Sequence, residues 1–97
     1  MTGPAPRLLQ RMHPTDNVAT ALRALEPGAR ATVDDHAITI GSTIPFGHKV
    51  ALVPIPAGAP VLKYGEAIGL ASTHIAAGDH VHTHNVESQR GRGDLHH

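Results

Sequence analysis

Histidine recurs at every second position in one short segment, residues 80–85, which reads His-Val-His-Thr-His-Asn. Alternate side chains of a β-strand point to the same face and lie about 6–7 Å apart, so neighbouring imidazoles can converge on one metal ion. We predict that His82 and His84 bind a metal, and we leave His80 outside this pair. The amide oxygen of Asn85 can bind a hard cation or a substrate hydroxyl. The polar outer face of an edge strand would show the same spacing, so both interpretations stay open.

A second candidate site follows a loop rich in proline and glycine, where Gly47, His48 and Lys49 enter a predicted strand. A loop in this position can present side chains to a ligand, and the Lys49 ammonium suits a carboxylate. The alternative is an exposed polar pair at a strand end, which these residues alone favour.

A third candidate combines a cation, a phenol and a carboxylate within four residues: Lys63, Tyr64 and Glu66. Such groups can bind a polyhydroxylated acid and move protons. Tyr64 is the only tyrosine of the chain, and it could instead provide aromatic packing in a core that otherwise consists of aliphatic residues.

One α-helix is predicted, over about residues 16–25. Its apolar residues recur at helical spacing, polar residues before it can cap its first turn, and a Pro-Gly pair follows it. His13 lies just before this helix, and capping does not explain it. We expect His13 to join the site if the helix start faces His82.

The remaining sequence alternates between apolar and polar residues, which is typical of short β-strands. A hairpin is predicted over residues 29–40, with its turn at Asp34 and Asp35. Two segments share a rough pattern that resembles a turn entering a strand, Ile55–Val61 and Ile75–Val81. Further strands are predicted over residues 48–53, 61–64, 67–71 and 80–84, separated by Gly and Pro. The fold class is therefore mainly β, with one short N-terminal α-helix.

The composition excludes several classes of protein. Eight Lys and Arg balance eight Asp and Glu, which argues against a surface for nucleic acid. No apolar run approaches the roughly 20 residues that span a bilayer, and residues 1–12 lack the apolar core of a secretory signal. Because the chain has no cysteine, a metal would bind to histidine, carboxylate or carbonyl groups. We expect a cytoplasmic protein that does not bind membranes.

The 97 residues suffice for one domain. We expect a flexible lead-in over residues 1–12, a folded domain over residues 13–86 and a polar, disordered tail over residues 87–97. A domain of this size has a thin stability margin, so contacts with a partner could stabilise it appreciably.

Several segments together resemble one known family, and the resemblance extends over residues 13–85. The sequence is similar to the N-terminal SAF-type domain of the altronate and galactarate dehydratases, the UxaA family. This resemblance implies a small β-clip fold and a much larger catalytic domain, which follows in the same chain or forms a separate subunit. The segments that carry it are Asp16–Ala19, Gly47–Leu52, Lys63–Gly69 and His80–Asn85.

The resemblance also implies a reaction: loss of water from a sugar acid, assisted by Fe²⁺ or Mn²⁺ shared with a large catalytic subunit. The chain is then expected to be inactive alone, and its self-association stays open. There are two alternatives. The chain is the small subunit of a sulfolactate sulfo-lyase, or it is a ligand-binding regulatory module. The implied roles are metal ligands at His82 and His84, catalytic groups at His48, Lys49 and Tyr64, and substrate contacts at Lys63, Glu66, Asn85 and His13.

Overall fold

The computed structural model describes residues 7–88, and this part of the chain contains nine β-strands and no helix. The predicted mainly β character is confirmed. Residues 1–6 and 89–97, which hold parts of the expected lead-in and tail, lie outside the described residues. The strands are β1 Leu9–Gln10, β2 Val18–Ala21, β3 Arg30–Val33, β4 His36–Thr39, β5 Lys49–Ala51, β6 Pro60–Lys63, β7 Glu66–Ala71, β8 His80–Val81 and β9 Val86–Glu87.

The strands form three antiparallel sheets. The largest has the order β1-β2-β5-β8, the second is the hairpin β3-β4, and the third has the order β6-β7-β9. The β3-β4 hairpin confirms the one expected over residues 29–40, and its turn includes Asp34 in the left-handed region at φ 51°. Residues 7–88 contain no helix that could cross a bilayer.

The structure corrects the helix predicted over residues 16–25. Val18 to Ala21 form β2, which lies between β1 and β5 and pairs with both. Val18 packs in one apolar cluster, whereas Leu25 packs in another. The apolar residues that suggested one helix face therefore serve two separate parts of the core. Pairing on both edges satisfies the backbone of this segment, and such tertiary context overrides a short helical pattern.

One turn occurs four times in the described chain, at residues 25–28, 44–47, 55–58 and 75–78. Each copy begins with a buried Leu or Ile and ends in a glycine whose φ lies between 83° and 91°. Each glycine N–H donates to a distant backbone carbonyl at 2.7–2.8 Å. We call these segments the first to fourth repeat turns. The first pairs with the second through Leu25 and Ile44, and the third pairs with the fourth through Ile55 and Ile75.

The four repeat turns divide most of the domain into two similar halves. A hairpin separates the two turns of each half, β3-β4 in the first and β6-β7 in the second. The β6-β7 hairpin contains an irregularity, because Val61 pairs with Gly69 whereas Leu62 pairs with Ala67. Ile68 is therefore the extra residue of a β-bulge, and bulges commonly redirect a side chain.

Asp16 and Asn17 hold the β6-β7 hairpin against the main sheet. The buried Asp16 carboxylate accepts hydrogen bonds from the N–H groups of Tyr64 and Gly65, at 2.9 and 2.8 Å. The Asn17 amide accepts from the N–H of Leu62 at 2.8 Å and donates to a backbone carbonyl of β6 at 3.0 Å. Asp16, which the sequence suggested as a helix cap, therefore stabilises a hairpin turn together with Asn17.

Candidate metal centre

Three imidazoles meet at one edge of the main sheet. His48, His80 and His82 each offer a nitrogen atom, and these atoms all lie within 4.8 Å of one another. His48 Nδ1 and His80 Nε2 are 2.9 Å apart, which is a hydrogen-bond distance. The rings are stacked, with centroid separations of 4.3 Å for His48 and His82 and 5.0 Å for His48 and His80. We call these three residues the imidazole cluster.

The pairing of β5 with β8 brings the cluster together. His48 follows the glycine of the second repeat turn, and His80 lies two residues after the glycine of the fourth. The two strands run antiparallel with Val50 opposite His80. The ends of the second and fourth repeat turns thereby bring together imidazoles that are 32 positions apart in the sequence.

Asn85 fixes the other side of the cluster. Strand β8 ends at Val81, and the chain turns back because the N–H of Asn85 donates to the carbonyl of His82 at 3.1 Å. The Asn85 side chain is 6 % exposed; its Oδ1 accepts from the His82 N–H, and its Nδ2 donates to the His80 carbonyl, both at 2.9 Å. Both polar atoms of the amide are used within the fold, and they hold the two histidine backbones in place.

The electrostatic environment favours the neutral form of His80 and His82. Desolvation lowers the pKa of His80, and the nearby His48, His84, His82 and Lys49 lower it further. Desolvation also lowers the pKa of His82, followed by the effects of His48, Lys49 and His84. Neutral imidazole is the form that binds metal. Three imidazole nitrogens grouped in this way are a candidate site for a divalent transition metal, for which imidazole is a common ligand.

A cavity of about 220 Å³ adjoins the cluster and extends between the main sheet and the β7-β9 edge. Lys49 contributes a cation to the wall of this cavity. Burial lowers the pKa of Lys49, and the charge of Lys63 lowers it further. The bulged Ile68 also reaches this wall. The lining residues are Lys49, Ile68, His82, Thr83, Val86 and Ser88.

The predicted metal pair of His82 and His84 stays a prediction, and the structure groups His82 with two other imidazoles. His80, which the spacing left out, is part of the cluster, while His84 is exposed and only adjoins it, with its ring centroid 5.3 Å from that of His80. The reason is that β8 ends at Val81, so residues 80, 82 and 84 do not continue along one straight strand. His48, predicted as a catalytic group, is also one of the three clustered imidazoles.

The other predicted site residues lie around the β6-β7 hairpin. Tyr64 is 61 % exposed, and the Lys63 ammonium lies 5.2 Å from the centre of its ring. Glu66 is exposed at the start of β7. The His13 ring packs over Gly65, and its Nδ1 bonds to the hydroxyl of Thr15 at 2.9 Å. Of this group, Lys63 is linked to the cavity through its effect on Lys49, and none of the four lines the cavity.

Sequence reasoning did not identify the inclusion of His80 or the lining role of Ile68, Thr83 and Ser88. One signal for His80 was present, because it belongs to the same alternating run of histidines as His82. No local pattern indicated the bulge at Ile68, because it arises from the pairing of β6 with β7.

Comparison with known proteins identifies the family of this small β domain with its histidine-lined edge. Residues 7–89 match the altronate/galactarate dehydratase SAF domain. The chain belongs to this family.

The similar proteins are lyases, and most are much longer than this chain. The chain is 46 % identical over 78 residues to the altronate dehydratase of Escherichia coli, a match that covers 80 % of this chain and 16 % of that enzyme. It is 46 % identical over 56 residues to the (2R)-sulfolactate sulfo-lyase subunit alpha of Paracoccus pantotrophus, covering 58 % of this chain and 84 % of that subunit. The altronate dehydratase of Bacillus subtilis is 38 % identical over 78 residues, again 16 % of its length. The chain thus spans about a sixth of the altronate dehydratases it matches.

Proposed function

We propose that this chain is the small subunit of a sugar-acid dehydratase of the altronate or galactarate type, and that it acts with a separate large catalytic subunit. The observation that carries this proposal is the convergence of the His48, His80 and His82 nitrogens within 4.8 Å, beside a cavity lined by Lys49. Membership of a dehydratase-associated family supports the reaction class.

In this proposal the imidazole cluster holds Fe²⁺ or Mn²⁺, which the large subunit shares. When bound, the metal supplies Lewis-acid assistance to the departing hydroxide. The lowered pKa values of His80 and His82 keep both imidazoles available as ligands near neutral pH. The buried amide of Asn85 keeps the backbones of both residues fixed.

The two lysines have complementary roles in this proposal. Dehydration breaks the C–H bond next to the carboxylate, its electron pair forms a C=C bond, and hydroxide leaves the neighbouring carbon; the enol then becomes a 2-keto-3-deoxy acid. Lys63 attracts the substrate carboxylate. Lys49 has a lowered pKa, which increases the fraction of neutral amine that can accept a proton.

Thr83 and Ser88 in the cavity wall offer hydroxyl groups to the substrate. Tyr64 and Glu66, on the neighbouring hairpin, stay predicted contacts.

The experiment combines the purified chain with a separately purified large catalytic chain of an altronate or galactarate dehydratase. Both are treated with a chelator, Fe²⁺ or Mn²⁺ is added back, and altronate, galactarate and sulfolactate are assayed for 2-keto acid or sulfite. We expect 2-keto acid from altronate or galactarate only when both chains and the metal are present. His80→Ala should abolish the gain, whereas His74→Ala, an exposed histidine outside the cluster, should preserve it. Equal activity of the large chain with and without this chain would refute the proposal.

A second candidate is the small subunit of a sulfolactate sulfo-lyase, in which sulfite leaves instead of hydroxide. The favouring observation is that the matched part of this chain covers 84 % of the Paracoccus subunit alpha, a chain of similar size. Sulfite release from sulfolactate in the same assay would select this candidate.

A third candidate function is a ligand-binding regulatory module. It predicts that His82→Ala and His84→Ala leave the activity of the partner intact.

A further inference from the structure

Phe46 is exposed in a way that the fold does not require. It is the only phenylalanine of the chain, and its side chain is 70 % exposed at the tip of the second repeat turn, beside the exposed Pro45. The other large apolar side chains exposed in residues 7–88 are less exposed than Phe46, from 36 % for Val53 to 61 % for Tyr64. Large aromatic rings contribute most to stability or binding when they are buried.

The repeat provides an internal comparison for this position. The residue before the turn glycine is Phe46 in the second copy, and Pro27, Ala57 and Ala77 in the others. All four copies make the same hydrogen bond from the glycine N–H, and all four glycines have positive φ. Alanine therefore suffices for the turn, and the phenyl ring serves some purpose other than folding.

Phe46 is close in the sequence to a member of the imidazole cluster. Phe46 is two residues before His48, and the second repeat turn leads directly into β5 with Lys49. The copy with an aromatic tip is thus one of the two repeat turns that lead into the candidate metal centre. Apolar surface beside a polar site is typical of an anchor for a partner that completes the site.

We propose that Phe46 is the anchor through which this chain docks on the large catalytic part of the lyase, with the imidazole cluster at the edge of the same interface. This inference rests on the proposed function. The proposed partner is this large catalytic part because the matched region is only 16 % of the altronate dehydratase chain. Most of that enzyme is therefore available to cover Phe46. A symmetric contact with a second copy is less suitable, because it would bring two copies of Lys49 and their neighbouring Lys63 to one interface.

The test measures the affinity of the labelled chain for the large catalytic chain, without substrate. Phe46→Ala gives the second repeat turn the sequence Ile-Pro-Ala-Gly, which the third already has, so this variant should fold, and its thermal unfolding is measured to verify this. We expect its Kd to rise at least about 30-fold, as for an interface hot spot. The matched control Ala57→Phe adds a ring to the exposed tip of the third turn and should bind within about twofold of the wild type. The double variant Phe46→Ala/Ala57→Phe, with an unchanged composition, should bind as weakly as Phe46→Ala.

Three results would overturn the inference: Phe46→Ala binding within threefold of the wild type, Ala57→Phe weakening binding to the same extent, or Phe46→Ala dissociating a homodimer of the isolated chain instead. The experiment distinguishes failure of the docking inference from failure of the proposed function. A complex that depends on Phe46 but converts none of the three acids refutes only the function. An active complex that tolerates Phe46→Ala refutes only the docking site.

Discussion

His48 Nδ1 and His80 Nε2 lie at a hydrogen-bond distance of 2.9 Å, although 32 positions separate the two residues in the sequence. In such a hydrogen bond one nitrogen donates and the other accepts, so full protonation of both rings would break this contact. A divalent metal bound by both nitrogens would take the place of this hydrogen bond. The geometry therefore links metal binding, protonation and the pairing of β5 with β8.

Metal binding should depend on three histidines and not on histidine in general. Titration of the chelator-treated chain with Mn²⁺ or Co²⁺ by calorimetry should detect one site. Replacement of His48, His80 or His82 by Ala should weaken binding at least about 100-fold, because each removes a direct ligand. His74→Ala is the control and should not change the affinity. Equal effects of all four substitutions would argue against a defined site.

The stability of the metal-free chain should rise with pH between about 5 and 6.5. The folded chain holds the pKa of His80 below its ordinary value, so the unfolded chain binds more protons in this window. Lowering the pH therefore favours unfolding. Thermal unfolding in chelator across this pH range measures the slope, and NMR titration should give a midpoint for His80 below 6.5. His80→Gln should reduce the slope; an unchanged slope would contradict this assignment.

Asn85 should be needed for both stability and metal binding, and Asn17 for stability only. Each amide accepts one backbone hydrogen bond and donates another. Asn85→Ala and Asn17→Ala should each lower the free energy of unfolding by about 1–3 kcal/mol, measured by urea denaturation. Only Asn85→Ala should also raise the Kd for metal, by about 10- to 100-fold. If both variants bind metal alike, Asn85 is not a positioning residue.

Two equivalent glycines should respond differently to alanine. Gly58 and Gly78 end the third and fourth repeat turns with φ of 86° and 91°. A Cβ atom on Gly58 meets nothing within 4 Å, whereas one on Gly78 overlaps the carbonyl oxygen of Thr39. Gly58→Ala should cost about 1–2 kcal/mol of stability for its left-handed backbone alone. Gly78→Ala should cost more, as measured by the same urea denaturation, and a smaller cost would contradict the packing between the fourth turn and β4.

Local patterns predicted much of the strand structure and none of the long-range pairing. The hairpin over residues 29–40 followed from a period of two around Asp34, and β5 and β8 lie within their predicted segments. The helix over residues 16–25 was wrong because apolar residues at helical spacing do not reveal that β1 and β5 pair with both edges of β2. Asp16 shows the same limit, since its partners are at Tyr64 and Gly65, far along the chain.

The sequence by itself determined the positions of the turns and the residue types available for chemistry. Glycine at φ near 90° sets each repeat turn, because other residues rarely adopt that backbone. Only the tertiary structure decided which histidines meet. Strand pairing joined His48 to His80, and the early end of β8, fixed by the buried Asn85 amide, turned His82 toward them and left His84 outside. Such contacts depend on backbone hydrogen bonds between distant segments, which residue spacing along the chain does not encode.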